Sequence, residues 1–559
     1  MIGYVGPSHD HERIARLQRL AEPNFRKLVH SEDGFAVFLQ PPPTSGNDLP
    51  HRSEVVFDPC HVLVFEGYLA DDGPVGISQP ALWLLRRQAR MGIAAFENLN
   101  GAYSFCLFQR CERQAWIGTC SFGRRNLYYM HEDEGMIFAN DLEGLLRVAG
   151  RRPGLAQDQI STSFLCGATY SGETLLTGVR RALPGAVIHV ASSVIVEAPP
   201  APFARTTVAS ISSENEAVEE LDQRLRIAVT RLTRVTNKQA VLMSAGVDSP
   251  LLAAYVKRVT GRLDALTLRL PPPADEIDDA AAIVRALGGV HHIYEFALDQ
   301  VDVVKEIAAF VRVMEEPSSL GLGLPMMKVA RMGRLLTDGF VCGVSADVLF
   351  SDLLPNDDPR AESIYHYMFR RVEPHCLQQV VRLRGPHPDE IVRYLRGRFS
   401  SDPLQELRLN FAIEGGLVIR YAARMAHVHQ AEALFPYLDR DVVDLALRLP
   451  AHLRGPQKSL LRKLAARYYE PCLQRPGKVP FAAYPIQWLQ AAGRLGALLD
   501  LLDEQRTRER GMYRRKGLRR LIGRYRSGCP QHQWHRVLWQ IAVFELFCRR
   551  FVDSGGLES

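Results

Sequence analysis

The pattern of apolar residues changes character near residue 200, and that change limits the possible folds more than any other feature. Before it lie short β-like runs separated by turn residues: Phe35–Leu39, HVLVFEGYLA from His61, GAYSFCLF from Gly101, QAWIGTC from Gln114, NLYYM from Asn126 and AVIHVASSVIV from Ala186. A helical stretch, PALWLLRRQARMGIAAFENL from Pro80, interrupts them. This mixture predicts a strand-rich α+β domain. After the change, an amphipathic helix (ENEAVEELDQRLRIAVTRL from Glu214) leads to the apolar run QAVLM, a turn and another helix. DALTLRL from Asp264 and a helix over about Asp275 to Leu287 follow. Strand alternating with helix predicts a parallel α/β sheet. Beyond about Glu362 the pattern reads as almost wholly helical. The stretch VEAPPAPFARTTVASISS, Val196 to Ser213, lacks a sustained apolar period and reads as a linker. The expected division is therefore 1–195, a linker over 196–213, and 214–559, which suits a chain of 559 residues, too long for one ordinary core.

Charge narrows the partners. The formal net charge is +6, and the arginines read as scattered among acidic residues rather than gathered into basic tracts. That argues against nucleic acid and for a small acidic ligand such as a nucleotide or a carboxylate. The ten cysteines include no C-x-x-C pair and no Cys/His cluster at zinc spacing, so they read as buried or free thiols in a reducing compartment. The opening MIGYVGPSHDHERIARL has no basic segment followed by an apolar core, and no apolar run reaches the ~20 residues of a membrane span. The expectation is a cytoplasmic protein without a membrane partner.

The hexapeptide Ser244-Ala245-Gly246-Val247-Asp248-Ser249 carries the most chemistry. It lies between the expected strand Gln239–Met243 and a helix expected to begin near Pro250. Small residues allow close backbone approach, and helix-start amides with serine hydroxyls favour a phosphate group. Pro250 suits a first helical turn. Asp248 makes sense beside phosphates if it binds Mg²⁺ that in turn binds them. The other reading is an ordinary strand-to-helix turn with Ser and Asp as caps.

The hexapeptide resembles the S-G-G-x-D-S loop of ATP pyrophosphatases, specifically the asparagine-synthetase branch, with Ala245 where glycine is usual. GVSADVLF from Gly343 is similar to that family's second acidic loop. EALFPYLDRDVVDLALRLP from Glu432, KSLLRKLA from Lys458 and RPGKVPF from Arg475 are similar to its later motifs. The resemblance implies an Ntn-type amidotransferase-like β-sandwich followed by an α/β ATP-pyrophosphatase domain with a helical C-terminal part. It implies ATP and Mg²⁺, with Asp248 and Asp347 as metal residues. Leu242, Ser244, Ala245, Gly246, Val247, Asp248, Ser249, Thr267, Leu268, Gly343 and Lys458 would line the nucleotide site. Lys478 would reach the reacting carboxylate and the α-phosphate, and Glu432 is a candidate proton acceptor, with a structural ion pair as the alternative. Fixed lysines and Mg²⁺ fit the need to offset like charges when a carboxylate meets ATP.

The first half is similar to the family's glutamine amidotransferase domain at LNGAYSFCLFQ from Leu99 and CSFGRRNLYYMHEDEGMIFANDLEGLL from Cys120. That domain begins Met-Cys-Gly, whereas Ile2 precedes Gly3 here, and isoleucine cannot act as a nucleophile. Glu66 replaces the asparagine that steadies the oxyanion, and a glutamate would repel that charge. The expectation is no glutaminase activity, with the domain kept as a structural partner or substrate-docking surface. Val344 stands where asparagine synthetases carry glutamate and β-lactam synthetases tyrosine. Val348 replaces the glutamate after the metal aspartate, and Ala423-Arg424 replaces a D-R pair. These departures resemble lasso-peptide cyclases most. They imply a precursor (core) peptide as substrate, a macrolactam as product, and a leader peptidase and leader-recognition protein as further partners. A β-lactam or carbapenam synthetase, or an inactive peptide-binding scaffold, are the alternatives.

Overall fold

A computed structural model describes residues 1–6, 27–32, 35–39, 52–70, 79–132, 135–169, 172–191, 194–198, 211, 213–269, 277–295, 302–318, 323–350, 374–384, 390, 393, 418–454, 458–474, 485–528 and 532–554.

The first half is two six-stranded antiparallel sheets. Across one lie Val179–Arg181, Tyr128–Glu132, Gly135–Ala139, Ile2–Val5, Phe35–Leu39 and Lys27–Glu32. Across the other lie Val194–Ala198, Val187–Ala191, Gln114–Thr119, Gly101–Gln109, His61–Leu69 and Arg52–Phe57. Alternate residues of both, among them Val5, Val37, Val64, Phe108, Phe138 and Ile188, form an apolar layer between the sheets, as period-two patterning requires. The helix Pro80–Met91 covers the outer face of the second sheet through Leu84 and Leu85. AVIHVASSVIV is a hairpin of two strands rather than one, and the second runs to Ala198, three residues into the expected linker.

The second half is a five-stranded parallel sheet. Its strands are β1 (Gln239–Leu242), β2 (Asp264–Arg269), β3 (Val290–Glu295), β4 (Gly339–Val341) and β5 (Glu432–Leu434), in the order β3-β2-β1-β4-β5. Helices α1 (Glu214–Thr233), α2 (Asp248–Thr260), α3 (Ile277–Ala286), α4 (Val303–Met314) and α5 (Gly323–Gly333) precede or connect the first four strands. Ser213 caps α1 by accepting from the Glu216 amide at 3.2 Å. The short α6 (Ala346–Phe350) follows β4, and α7 (Arg420–Val428) leads into β5. Then come α8 (Ser459–Ala465), α9 (Arg515–Arg526) and α10 (His532–Phe547). The region expected to be almost wholly helical thus supplies an edge strand. β5 has only three residues, too few for a period-two pattern to be legible.

The two halves share one continuous apolar core, in which Ile2, Tyr128 and Leu146 of the first join residues such as Leu225 and Phe310 of the second. Polar contacts cross the same seam at Glu315 and Glu316, both buried. Glu316 accepts from the Thr169 amide at 2.7 Å, from Arg181 at 3.0 Å, and from Arg420. Glu315 accepts from the Leu142 amide at 2.8 Å and pairs with Arg424 at 2.5 Å. Burial opposes ionisation of Glu316. The guanidinium groups of Arg420 and Arg181 and the Thr169 amide outweigh it, and hold the carboxyl below the usual glutamate range.

One charge expectation fails. α9 holds six Arg and Lys and no Asp or Glu, so this helix alone matches the +6 of the whole chain and the remaining residues sum to zero. The basic residues are therefore gathered at this point rather than evenly scattered.

Candidate active site

β1 delivers the hexapeptide to the carboxyl edge of the sheet, where ligands of parallel α/β sheets gather. α2 begins at Asp248, two residues earlier than expected, which places Pro250 third in the helix and still within its first turn. The loop is tied to itself by serines. The Ser249 hydroxyl accepts from the Ser244 amide at 2.9 Å and lies 3.0 Å from the Ser244 hydroxyl, while the Gly246 amide reaches the Ser244 hydroxyl at 3.4 Å. Leu242 ends β1 and is half-buried, with Ala245 and Val247 buried behind it. Thr267 of β2 donates to the Met243 carbonyl at 3.0 Å, which joins that strand to the loop, and Leu268 follows it half-buried.

The second acidic loop follows β4, the neighbour of β1. Gly343 brings the two loops into contact. A Cβ there would lie 3.2 Å from the Asp248 Cβ and 3.3 Å from the Ser249 amide nitrogen. Gly343→Val is expected to push the loops apart by a fraction of an ångström and lower turnover with ATP by about tenfold or more, because small misplacements of reacting groups are costly. Steady-state kinetics beside a thermal melt check this, since the fold should be largely retained.

The decisive geometry is at Lys458. Its ammonium lies 2.5 Å from an Asp248 oxygen and 2.6 Å from an Asp347 oxygen, with the side chain 12% exposed. Two carboxylates from separate strand-to-helix turns thus converge on one cation. The backbone here is held in unusual conformations: Ser345 has φ 71° and Lys458 φ 60°, left-handed values that cost non-glycine residues energy. Such strain persists only where surrounding structure enforces it, and both residues flank the acidic pair. Tyr437 completes the wall by donating to the Asp248 carbonyl at 3.1 Å and packing edge-on against Phe350 of α6. Burial, with Asp248 and Asp347 nearby, pushes its phenol well up, so it stays a neutral donor. Burial also raises the Tyr469 phenol, against the opposing effect of Arg462, and Asp248 adds to the rise. Nothing in the sequence singles out either tyrosine. Tyr437 lies inside the quoted EALFPYLD stretch, but a tyrosine in an apolar run carries no signal that its hydroxyl reaches another loop.

No group of three or more His, Cys, Asp or Glu placed to hold a metal occurs among the described residues. The donors are nevertheless suitable for Mg²⁺. Two carboxylates already share one cation's position, and Mg²⁺ is commonly held by one or two carboxylates with phosphates and water filling the remainder. Asp248 and Asp347 would hold it.

One expected residue is placed away from this site, and another is not described. Lys478 lies outside the described residues. Glu432 is 1% exposed, opens β5 in register with Gly339, and accepts a charge-assisted bond from Arg125 of the first half. It sits at the end of β5 away from the loops and is spent on a seam contact, so the ion-pair alternative describes it rather than proton transfer. Val344 is half-buried against the core and Val348 is buried, which leaves the acidic loop without a second titratable side chain at either position. In the first half, Ile2 is buried in the apolar core and Glu66 accepts from the Met1 ammonium at 2.5 Å. Ala423-Arg424 lies on α7, where Arg424 serves the seam with Glu315.

The asparagine synthase family model matches residues 220–549, more than half of the chain. The chain belongs to the asparagine synthase family. A glutamine amidotransferase domain model matches residues 82–199 within the antiparallel sandwich. A curated protein of Methanocaldococcus jannaschii, "Putative asparagine synthetase (glutamine-hydrolyzing) 2", is 20% identical over 277 residues, 48% of this chain and 52% of its own length. This asparagine synthase family member therefore spans about half the length of that curated relative. Among solved structures, the glutamine phosphoribosylpyrophosphate amidotransferase of B. subtilis complexed with ADP and GMP is similar at 10% identity. It covers 53% of this chain and 80% of its own, with a TM-score of 0.23. A structure described as the allosteric regulatory enzyme of purine biosynthesis is similar at 10% identity and a TM-score of 0.26, over the same shares. Both likenesses are too weak to bear on the site. No helix among the described residues is long and apolar enough to cross a membrane.

Proposed function

We propose that this family member is an ATP-dependent peptide macrolactam synthetase of the lasso-cyclase kind. The side-chain carboxylate of an Asp or Glu in a leader-free precursor peptide attacks the α-phosphorus of ATP, and pyrophosphate leaves. The peptide's N-terminal amine then attacks the acyl carbon, the bond to AMP breaks, and one proton is released. The balance is peptide plus ATP giving a ring one water lighter, AMP and pyrophosphate. The convergence of Asp248, Asp347 and Lys458 beside the serine-tied loop carries this reading.

Bound Mg²⁺ would supply charge neutralisation on the phosphate oxygens. The chain's own residues supply the rest. The Ser244–Ser249 turn and the start of α2 present amides and hydroxyls to phosphate. Lys458, fixed in place by its backbone, offsets the negative charge that grows as pyrophosphate departs. Lys478, carried by the RPGKVPF motif, is assigned to the reacting carboxylate. Nothing at Val344, Val348 or the occupied Glu432 takes a proton from the incoming amine. That favours a substrate whose amine and acyl group are prefolded into contact, where proximity does most of the work. The core position of Ile2 and the charge of Glu66 support the absence of glutaminase activity. A leader peptidase and a leader-recognition protein remain the proposed partners and the cytoplasm the proposed location.

A β-lactam or carbapenam synthetase would use the same ATP half on a small amino acid, but Val344 offers that chemistry no hydroxyl. An inactive scaffold would have no use for the strained Ser345 and Lys458 backbones. Mass spectrometry of peptides encoded beside the gene, incubated with the protein, ATP and Mg²⁺, tests the reading. A product lighter by one water and resistant to aminopeptidase is expected. Amidation of free aspartate, or hydrolysis of glutamine to glutamate, would refute it.

A further inference from the structure

The fold presents a cationic surface that the ATP site does not use. α9 packs inward through Leu518, Leu521, Ile522 and Tyr525, all buried, and the Tyr525 hydroxyl lies 2.9 Å from His535 of α10. Gly517 sets its rotation. A Cβ there would meet the Gln379 carbonyl oxygen at 1.9 Å, so the helix backbone rests directly on the helix Pro374–Val380. The opposite face is fixed outward. It shows Arg515, Lys516, Arg519 and Arg520 over about 140° of arc, with Arg514 just before the first turn, all exposed. Two further cations are committed to neighbours: Arg526 to Asp500 at 2.8 Å and Arg524 over the Trp534 ring at 4.3 Å. The five outward cations make no ion pair among the described residues. Like charges crowded on two turns repel one another, an arrangement that an anionic partner relieves.

We propose that this face docks a short acidic segment of polypeptide. Guanidinium forks match carboxylates in bidentate geometry, and the cationic stretch is only two turns long. The aromatic side chains on and beside the helix, Tyr513, Tyr525 and Trp534, are buried, so none is free to stack on bases. The apolar side chains are buried too, so the helix has nothing to insert into lipid. Asp500 and Asp503, both paired with Arg526, end the cationic stretch on that side of the helix.

Fluorescence anisotropy with labelled octaglutamate, a mixed-sequence DNA duplex and phosphatidylserine vesicles tests this on the full chain. Octaglutamate is expected to bind more tightly than either alternative and to weaken with salt. The quadruple variant Arg515→Glu/Lys516→Glu/Arg519→Glu/Arg520→Glu should weaken it by about tenfold or more, as expected when a docking patch reverses charge. Both proteins should keep the same thermal shift with Mg·ATP. If the quadruple variant does not fold, Arg519→Gln/Arg520→Gln should show a smaller loss in the same direction. Equal binding by wild type and variants, no binding of octaglutamate by wild type, or tighter binding of duplex or vesicles would each overturn the proposal.

Discussion

Glu316→Ala is expected to destabilise the protein by about 3–5 kcal/mol, the usual cost of removing one partner from a buried ion pair. The carboxylate is 4% exposed and accepts from four donor groups on three residues, Thr169, Arg181 and Arg420. Its loss strands two guanidinium groups, Arg181 and Arg420, inside the seam between the halves. Glu316→Gln keeps the shape and one acceptor and should cost less. The sign with pH follows from the direction of the shift. Because the folded carboxyl is held below the usual glutamate range, its stabilisation is present above that range and is lost as the pH falls on through the lowered folded value. Denaturant melts of wild type and variant should therefore converge as the solution is acidified. A constant difference between them down to strongly acid pH would contradict this account of the seam.

Lys458→Met should lower ATP-dependent pyrophosphate release by about 10²–10³-fold, the loss seen when a fixed electrostatic stabiliser is removed from a reacting site. A second readout separates this role from a purely structural one. Without the ammonium, Asp248 and Asp347 lose the cation they share among the described residues, so Mg²⁺ alone should raise the melting temperature more in the variant than in wild type. A variant that lost activity while responding to Mg²⁺ like wild type would show that Lys458 is not what holds the acidic pair together.

Local pattern disclosed most of the frame. The runs at His61, Gly101 and Gln114 are strands because short, largely apolar runs bounded by turn residues suit a sheet covered on both faces, and the Ser244–Ser249 turn sits where strand gives way to helix. The residues that escaped are those whose meaning depends on a distant partner. Glu315 and Glu316 carry no local signal in the sequence, and only folding brings Arg424 to the first and Arg181 and Arg420 to the second. Glu432 looked available for proton transfer because Arg125, 307 positions away, is invisible from its surroundings. The KSLLRKLA motif points Lys458 toward the phosphates, but only the fold shows two aspartates from separate loops sharing its ammonium. The basic face of α9 is legible as six Arg and Lys among 12 residues, set in a chain whose charge is otherwise balanced.

The most direct measurement of the central claim is the nucleotide product formed with a cyclisable peptide, Mg²⁺ and ATP. One AMP and one pyrophosphate for each peptide that loses one water is the predicted result. ADP and phosphate, or AMP formed without any dehydrated peptide, would contradict it.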